Sequence, residues 1–363
     1  MRRILIYLLT LALVCVSCAP RDRYMTFSGY AQGGTYTVKL NLKGVSEKPQ
    51  VIKDSVDALL RQIDFSLSGY NKNSILSRFN AGETVVPDSL FIDIYSHAHD
   101  IYSLTGGMVD VASGPLFDIW GFGFKNGELP SDDEVNQTVA TSGMKRLVHD
   151  MNSVLRQQSD STAGSSMVLM PEDLLCAELA DRTLPKLNYN AIAQGYSCDV
   201  VARYLYSLGV KDMMVDIGEI FCDGRNPSGQ PWTLGIDRPV DGNNELGAQI
   251  QGIFQVPEGP HGVVTSGNYR KYYVKGGRKY AHTINPVSGY PVEHSLLSAT
   301  VVAPDAMLAD AYATYCMVIG LEEAQAFIES NPELEACLIY DEDGVFATWT
   351  SSGFTLEIPT SLQ

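Results

Sequence analysis

The amino-acid sequence predicts an α+β fold in one domain, with helices packed on a mainly antiparallel sheet. Runs of apolar residues typical of strands follow one another from residue 213 to residue 284 without an intervening helical pattern. Helical periodicity is confined to segments before and after those runs. No linker in the chain of 363 residues is long enough to separate autonomous domains, although length alone would allow one or two.

The elements of the first third follow from local signals. Apolar residues alternate in the predicted strands and recur every three or four positions in the predicted helices. Serine at a helix start and paired glycines at a helix end supply the expected caps. The predicted elements are two strand pieces over 28–42 around Gly33 and Gly34, a helix over 51–67, a short helix after Ser74, a helix over 90–105, and a helix near Ser131.

Residues 109–123 form an unusual segment, a predicted short strand followed by an aromatic stretch that ends in Trp-Gly-Phe-Gly. It is either a loop that covers a core or a pocket wall that touches a polar heterocycle. Residues 157–167 are low in complexity and typical of an exposed hairpin loop. Residues 187–210 predict a strand end, a turn and a long amphipathic helix that has Gly195 near its start.

The second half predicts one sheet built from successive strands, including a hairpin at Gly276-Gly277 that continues it. Residues 296–304 predict a further strand, and the helix over 305–320 follows at once. A last helix over 321–330 and two strands over 336–340 and 345–350 complete the pattern.

The acidic composition limits the classes of partner. The formal net charge of −16 argues against a nucleic acid, because phosphate neutralisation needs clustered lysine and arginine. An anionic ligand must therefore be received locally, by a metal ion, backbone N–H groups or a few cations.

The N-terminus has the pattern of a signal peptide. Arg2 and Arg3 precede an apolar run over residues 4–14, which is too short to span a bilayer. The following Cys-Val-Ser-Cys resembles a bacterial lipobox, which implies lipidation of Cys18. We expect a signal peptide over 1–18, a tether over 19–27, and membrane anchoring in the bacterial cell envelope, facing the periplasm. Plain secretion with cleavage near Ala19 is the alternative.

Several residues carry potential chemistry by themselves. Asp310 and Thr314 are four residues apart on a predicted helix, so their oxygens share one face. His282 stands beside an Asn-Pro turn, and Tyr70 lies in a predicted loop. The helix start at Gly195 suits a phosphate, but a tightly packed helix start has the same sequence. Five cysteines follow Cys18, without the spacing of a zinc or redox pair.

Eight motifs in order resemble the ApbE family of FAD:protein FMN transferases. The resemblance runs from residue 28 to residue 359, which is taken as one ApbE-like, T-fold-like domain. The motifs are QGGTY (32–36), SGYNKNSILSRFN (68–80), VDVASGPLFDIWGFG (109–123), NAIAQGYSCDVVA (190–202), WTLGIDRP (232–239), TSGNYRKYY (265–273), HTINPVSGYPV (282–292) and ADAYAT (309–314).

The resemblance implies a reaction and its reactants. In this family FAD bound with Mg²⁺ is attacked at its flavin-side phosphate by a hydroxyl of a carrier protein. FMN becomes ester-linked to a threonine or serine of that acceptor, and AMP leaves. Some members also hydrolyse FAD to FMN and AMP.

The resemblance also assigns roles to residues. Asp310, Thr314 and the backbone carbonyl of Ala191 match the metal ligands. His282 matches a histidine near the diphosphate and is the candidate for catalysis or charge stabilisation, with its protonation state open. Asp310 is the alternative group to assist the nucleophile. The matches to flavin, adenine or other FAD contacts are Tyr70 (on the isoalloxazine), Met108, Val109, Asp110 and Ile284.

Four positions depart from the family pattern. Gln32 replaces a methionine, Gln194 replaces a lysine near the FAD, and Asn188 replaces an aspartate; all three are retained as cofactor-binding positions. Gly218 stands alone where two glycines are common. The loss of a cation at Gln194 and the single glycine at 218 give weight to one rival, a non-catalytic flavin-binding lipoprotein. The other rival is a Mg²⁺-dependent FAD diphosphatase, in which water is the nucleophile at the same site.

Overall fold

The computed structural model describes residues 22–83, 85–122, 129–147, 185–240, 243, 247–269, 272–275 and 278–358. The expected signal peptide over 1–18 and the expected loop over 157–167 therefore lie outside the described residues. The first strand begins at Tyr24, so the tether predicted over 19–27 was drawn too long at its C-terminal side. Among the described residues, no helix has the length and apolar character needed to cross a membrane.

The described chain is organised around one antiparallel sheet of eight strands, which confirms the predicted α+β class. Its strand order is β1-β2-β3-β4-β7-β10-β11-β12. The strands are β1 (Tyr24–Ala31), β2 (Gly34–Asn41), β3 (Met213–Asp216), β4 (Ile220–Asp223), β7 (His261–Gly267), β10 (Leu296–Ala303), β11 (Glu335–Glu342) and β12 (Val345–Thr350).

The prediction of a single continuous sheet was wrong in the second half of the chain. Among the described residues, strands β5 (Thr233–Asp237) and β6 (Ile250–Gln255) form a separate two-stranded sheet, as do β8 (Tyr272–Lys275) and β9 (Arg278–Ala281). Strand β6 also forms one isolated bridge, from Ile253 to Glu357. The physical reason for the β5–β6 pair is burial: its apolar residues pack with those of β4, β7, β10 and β11 in one cluster. The predicted glycines of the β8–β9 turn lie outside the described residues.

Helices cover the face of the main sheet opposite to the β5–β6 pair. Most of them begin and end near the predicted residues. Side-chain caps support several of them: Ser74 accepts from Ser77 N at 2.9 Å, and Ser131 accepts from Glu134 N at 3.3 Å. The helices are α1 (Pro49–Leu67), α2 (Ile75–Asn80), α3 (Ser89–Leu104), α4 (Gly114–Ile119), α5 (Asp132–Thr141), α6 (Ala193–Ser207), α7 (Ala306–Ile319) and α8 (Leu321–Ser330).

The strand predicted at residue 109 is absent, and a turn stands there instead. The side chain of Asp110 accepts a hydrogen bond from Ala112 N at 2.8 Å, which closes a local turn. Helix α4 follows, with a proline in its first turn, where a missing N–H costs nothing. A local side-chain bond thus overrides the β propensity of Val109 and Val111.

The largest core cluster joins α1, α3, α6 and the start of α7 to the inner faces of β1–β4. A second cluster packs α7 and α8 against β7, β10 and β11. Helices α6 and α7 therefore meet over the middle of the sheet, and this junction positions the candidate site.

Candidate active site at the junction of two helices

Helices α6 and α7 approach each other unusually closely at Gly195. A Cβ atom added to Gly195 would lie 2.2 Å from the carbonyl oxygen of Ala306 and 2.8 Å from the Cα of Met307. Only glycine can occupy this position without moving the backbone of one helix. The first turn of α6 is consequently fixed against the first turn of α7.

Two carboxylates tie these helix starts together in a reciprocal way. Asp199 of α6 accepts from Ala306 N and Met307 N, each at 2.9 Å, at the N-terminus of α7. Asp310 of α7 accepts from Gly195 N at 3.2 Å, near the N-terminus of α6. Each helix thus supplies an anion to the N–H groups of the other, where the helix dipole favours negative charge.

Burial makes both carboxyl groups hard to ionise. It raises the pKa of Asp310 to about 7; the bond from Gly195 opposes this shift, and the charge of Asp199 adds to it. Burial likewise raises the pKa of Asp199 to about 7, against the two backbone bonds from α7. A cation beside Asp310 would relieve this cost, because it favours the ionised form.

Thr314 lies one turn after Asp310 on α7, as predicted, and faces strand β7. Its hydroxyl is 3.4 Å from that of Ser266. Carboxylate and hydroxyl oxygens are hard ligands that suit Mg²⁺, which keeps several waters and needs few protein groups. The described residues contain no cluster of three or more His, Cys, Asp or Glu suited to a metal. The two side-chain donors named here are oxygens, whereas a soft metal prefers thiolate or thioether ligands.

The predicted metal ligand Ala191 lies in the turn immediately before α6. Asn188, three residues earlier, accepts from Asn190 N at 3.0 Å, and its own N–H donates to Val111 O at 2.6 Å. These bonds hold the loop around residue 110 beside the start of α6. The structure thus brings that loop close to the turn that carries Ala191.

Within that loop the side chain of Asp110 points into the protein. It accepts from Met144 N at 3.0 Å as well as from Ala112 N, and burial raises its pKa to about 6. Val109 is also buried, and Met108 is half-buried. Asp110 and Val109 therefore shape the loop, while their predicted contacts with the flavin or adenine stay predictions.

His282 and Ile284 follow strand β9 in the HTINP motif. The ring of His282 lies edge-on to that of Phe122, with ring centroids 6.5 Å apart. Thr283 between them donates to Asn268 Oδ1 at 2.6 Å, and Asn268 follows β7 two residues after Ser266. Ile284 is buried in a small cluster with Leu116, Trp120 and Val135.

Tyr70 lies in the loop between α1 and α2 and exposes 73% of its surface. Such exposure leaves its ring face accessible for stacking. The same segment is tied to the approach of α6, because the Asn80 side chain donates to Leu187 O and accepts from Leu187 N, each at 2.8 Å.

Two residues of the junction, Asp199 and Ser266, were not predicted from the sequence. Asp199 lies in the predicted amphipathic helix over 187–210, where an aspartate is typical of the exposed side, yet it is buried between the helices. Its spacing of four from Gly195 was the available signal, since both must then face the same neighbour. Ser266 belongs to the TSGNYRKYY motif, but nothing local identifies which of its side chains faces α7.

Fold and junction together define an α+β protein in which two buried carboxyl groups, Asp199 and Asp310, bind the N-terminal turns of neighbouring helices. The ApbE family model matches residues 32–338, and the chain belongs to that family. It is 31% identical to FAD:protein FMN transferase of Vibrio cholerae, covering 98% of each chain, and 30% identical to that of Escherichia coli, covering 96% and 95%. The apo structure of flavinyl transferase ApbE from Pseudomonas stutzeri superimposes with a TM-score of 0.74 at 30% identity, covering 91% and 95%.

Proposed function

We propose that this protein transfers FMN from FAD to a threonine or serine hydroxyl of an acceptor flavin-carrier protein and releases AMP. The observation that carries the proposal is the α6–α7 junction, where Asp310, Thr314 and the turn at Ala191 lie within a chain that belongs to the ApbE family. Named relatives that align over nearly the whole chain support the activity.

Asp310, Thr314 and the carbonyl of Ala191 would hold Mg²⁺. When bound, the ion neutralises phosphate charge and favours departure of AMP. The protein needs such local charge because its formal net charge is −16.

In the proposed reaction the acceptor hydroxyl oxygen forms a bond to the flavin-side phosphorus. The bond from that phosphorus to the bridging oxygen breaks, and the oxygen leaves with AMP. The hydroxyl proton passes to His282 or to Asp310, and both remain candidates for the base. Tyr70 would stack on the isoalloxazine, and the loop at residues 108–110, with Ile284, would line the rest of the FAD site.

We further propose that the mature protein is a lipoprotein, anchored through Cys18 to a membrane of the bacterial cell envelope and facing the periplasm. The support is the charged, apolar and small-residue pattern of residues 1–18. The acceptor would then be a protein whose flavin-carrying segment is exposed on the same side of that membrane.

The proposal is tested by incubating the protein with FAD, Mg²⁺ and a candidate acceptor, then weighing the acceptor by mass spectrometry. We expect an adduct of FMN size and one AMP for each adduct. Asp310→Ala should abolish both products while the circular dichroism spectrum stays that of the wild type. Undiminished turnover in that variant would remove Asp310 from the metal site. AMP release that needs no acceptor and leaves none modified would favour the diphosphatase.

A further inference from the structure

Two glutamines link the start of α6 to neighbouring turns of the main sheet, and the reaction proposed above gives neither a chemical step. Gln194 is the second residue of that helix, and Gln32 lies in the turn between β1 and β2. Both side chains are partly buried. Each uses its terminal amide to bond another part of the protein.

Gln194 joins the helix to the turn between β3 and β4. Its Nε2 donates to the carbonyl oxygen of Ile217 at 3.0 Å. The next residue, Gly218, has a φ of +95°, and a Cβ added there would lie 2.4 Å from the same Nε2. Glycine at 218 therefore supplies both the left-handed turn and the space that the glutamine amide occupies.

Gln32 joins the helix to the turn between β1 and β2. Its Nε2 donates to the hydroxyl of Ser197, which itself donates to Ala193 O at 2.6 Å. Ala193 is the first residue of α6. Gln32 itself has a φ of +51°, which is uncommon for a residue other than glycine. The bond to Ser197 compensates for that backbone conformation.

Both turns lie at the same end of the main sheet. Strands β2 and β3 are antiparallel neighbours, with Thr37 opposite Asp216, so the turn at Gln32 and the turn at Ile217 leave the sheet together. The two amides therefore brace one helical turn against two neighbouring sheet turns. That helical turn presents Gly195 N to Asp310 and directly follows Ala191.

We infer that Gln194 and Gln32 are positioning residues, which set FAD affinity by fixing the first turn of α6 relative to the sheet. Neither amide needs to touch the ligand for this role. The turn supports two groups proposed to hold Mg²⁺ with FAD: the carbonyl of Ala191, which precedes it, and Asp310, which accepts from Gly195 N. His282, the other candidate for proton transfer, follows β9. Loss of either brace should consequently weaken FAD binding and leave the maximal rate nearly intact. This inference rests on the proposed function.

Two variants test this inference most directly. Gln194→Met keeps the length of the side chain and removes its N–H donor, and Gly218→Ala fills the space that the Gln194 amide occupies. We expect each to raise the Kd for Mg²⁺-FAD, measured by flavin fluorescence, about tenfold, the effect of one hydrogen bond near the upper end of its usual range. The KM for FAD should rise equally, and kcat should stay within twofold. Because both changes break one contact, the double variant should bind FAD no more weakly than the worse single variant.

Gln50→Met is the matched control, because Gln50 bonds only its exposed helix neighbour Asp54, at 2.8 Å, and should bind FAD like the wild type. Gln194→Lys keeps a donor for Ile217 O and should recover most of the lost affinity. An unchanged Kd in Gln194→Met would overturn the inference, and so would a fall in kcat at constant KM. A wild type that binds FAD but forms no AMP refutes the proposed function alone, since the binding measurements still decide the role of the glutamines.

Discussion

Asp199 has no step in the proposed reaction, yet its side chain links α6 to the first turn of α7. Its two oxygens accept from the N–H groups of Ala306 and Met307, and its charge adds to the rise in the pKa of Asp310. A buried carboxylate with a raised pKa stabilises the protein least when it is ionised. The residue that orders the junction is therefore also a source of pH dependence.

We predict that Asp199→Asn changes how stability responds to pH. The pKa of Asp199 is raised from 3.8 to about 7, so the folded state binds more protons than the unfolded state between those values. The contribution of the Asp199 carboxyl to the free energy of unfolding is greatest at low pH and falls as pH rises from 4 to 7. The free energy of unfolding of the wild type relative to the variant should decline by on the order of 2–4 kcal/mol between pH 5 and pH 8.

Urea unfolding of both proteins at the two pH values measures that difference. Asp22 provides a control, because it is an exposed carboxylate far from the junction whose pKa is lowered by bonds to Asn41 and Lys43. The free energy of unfolding of the wild type relative to Asp22→Asn should rise or stay constant between these two pH values. A constant difference between wild type and Asp199→Asn across this range would show that the carboxyl is not protonated in the folded protein.

At the scale of elements, the crossing of α6 and α7 depends on a residue without a side chain. We predict that Gly195→Ala lowers the free energy of unfolding by about 2–4 kcal/mol, because its Cβ would meet backbone atoms of Ala306 and Met307 that cannot rotate away. Metal-dependent activity should fall further than stability alone explains, since the helices must separate at the site.

Both parts of this prediction are checked on one preparation of the variant. Thermal unfolding measures its stability, and AMP release measures its activity. Gly235→Ala is the control, because a Cβ on that strand glycine would have its nearest neighbour, Ile250 Cδ1, at an ordinary 3.5 Å. Equal stability for Gly195→Ala and Gly235→Ala would mean that the two helices have room to move apart.

Elements with strong local signals were predictable from the sequence. The helices over 51–67, 90–105 and 305–320 agree with α1, α3 and α7 to within about two residues, because periodicity and caps act within the segment. Sheet membership was not predictable in this way. Strands β5 and β6 have ordinary strand sequences, and only their packing over the outer face of the main sheet separates them from it.

At the scale of the whole molecule, the site shows the same limit of prediction from the sequence. Local spacing was predictable, and contacts between distant segments were not. The spacing of Asp310 and Thr314 predicted a shared face, which α7 confirms. The partners of Asp199 and Ser266 lie 107 and 48 positions away in the chain, so no local pattern pairs these residues with them. The family resemblance marked Gln194 as a lost cation; the bond to Ile217 O, which the sequence does not reveal, gives the replacement a structural use.

The acidity of the whole chain leads to a last prediction, about how FAD approaches. With a net charge of −16 the protein repels the diphosphate at long range, and this repulsion is screened by salt. In EDTA we expect weak FAD binding that tightens as salt rises from 20 to 200 mM. Saturating Mg²⁺ should lower the Kd at least tenfold and reduce that salt dependence, because the ion offsets repulsion within the site.

Fluorescence titration with FAD, with and without Mg²⁺, measures each effect, and riboflavin serves as the control ligand because it lacks phosphate. Its binding should respond to neither Mg²⁺ nor salt. Asp310→Asn should retain the salt response seen in EDTA and lose the gain from Mg²⁺, since it removes the metal ligand but changes the global charge by only one unit. Tight FAD binding by the wild type in EDTA would instead mean that backbone N–H groups alone receive the diphosphate, and that the metal acts only on the leaving group.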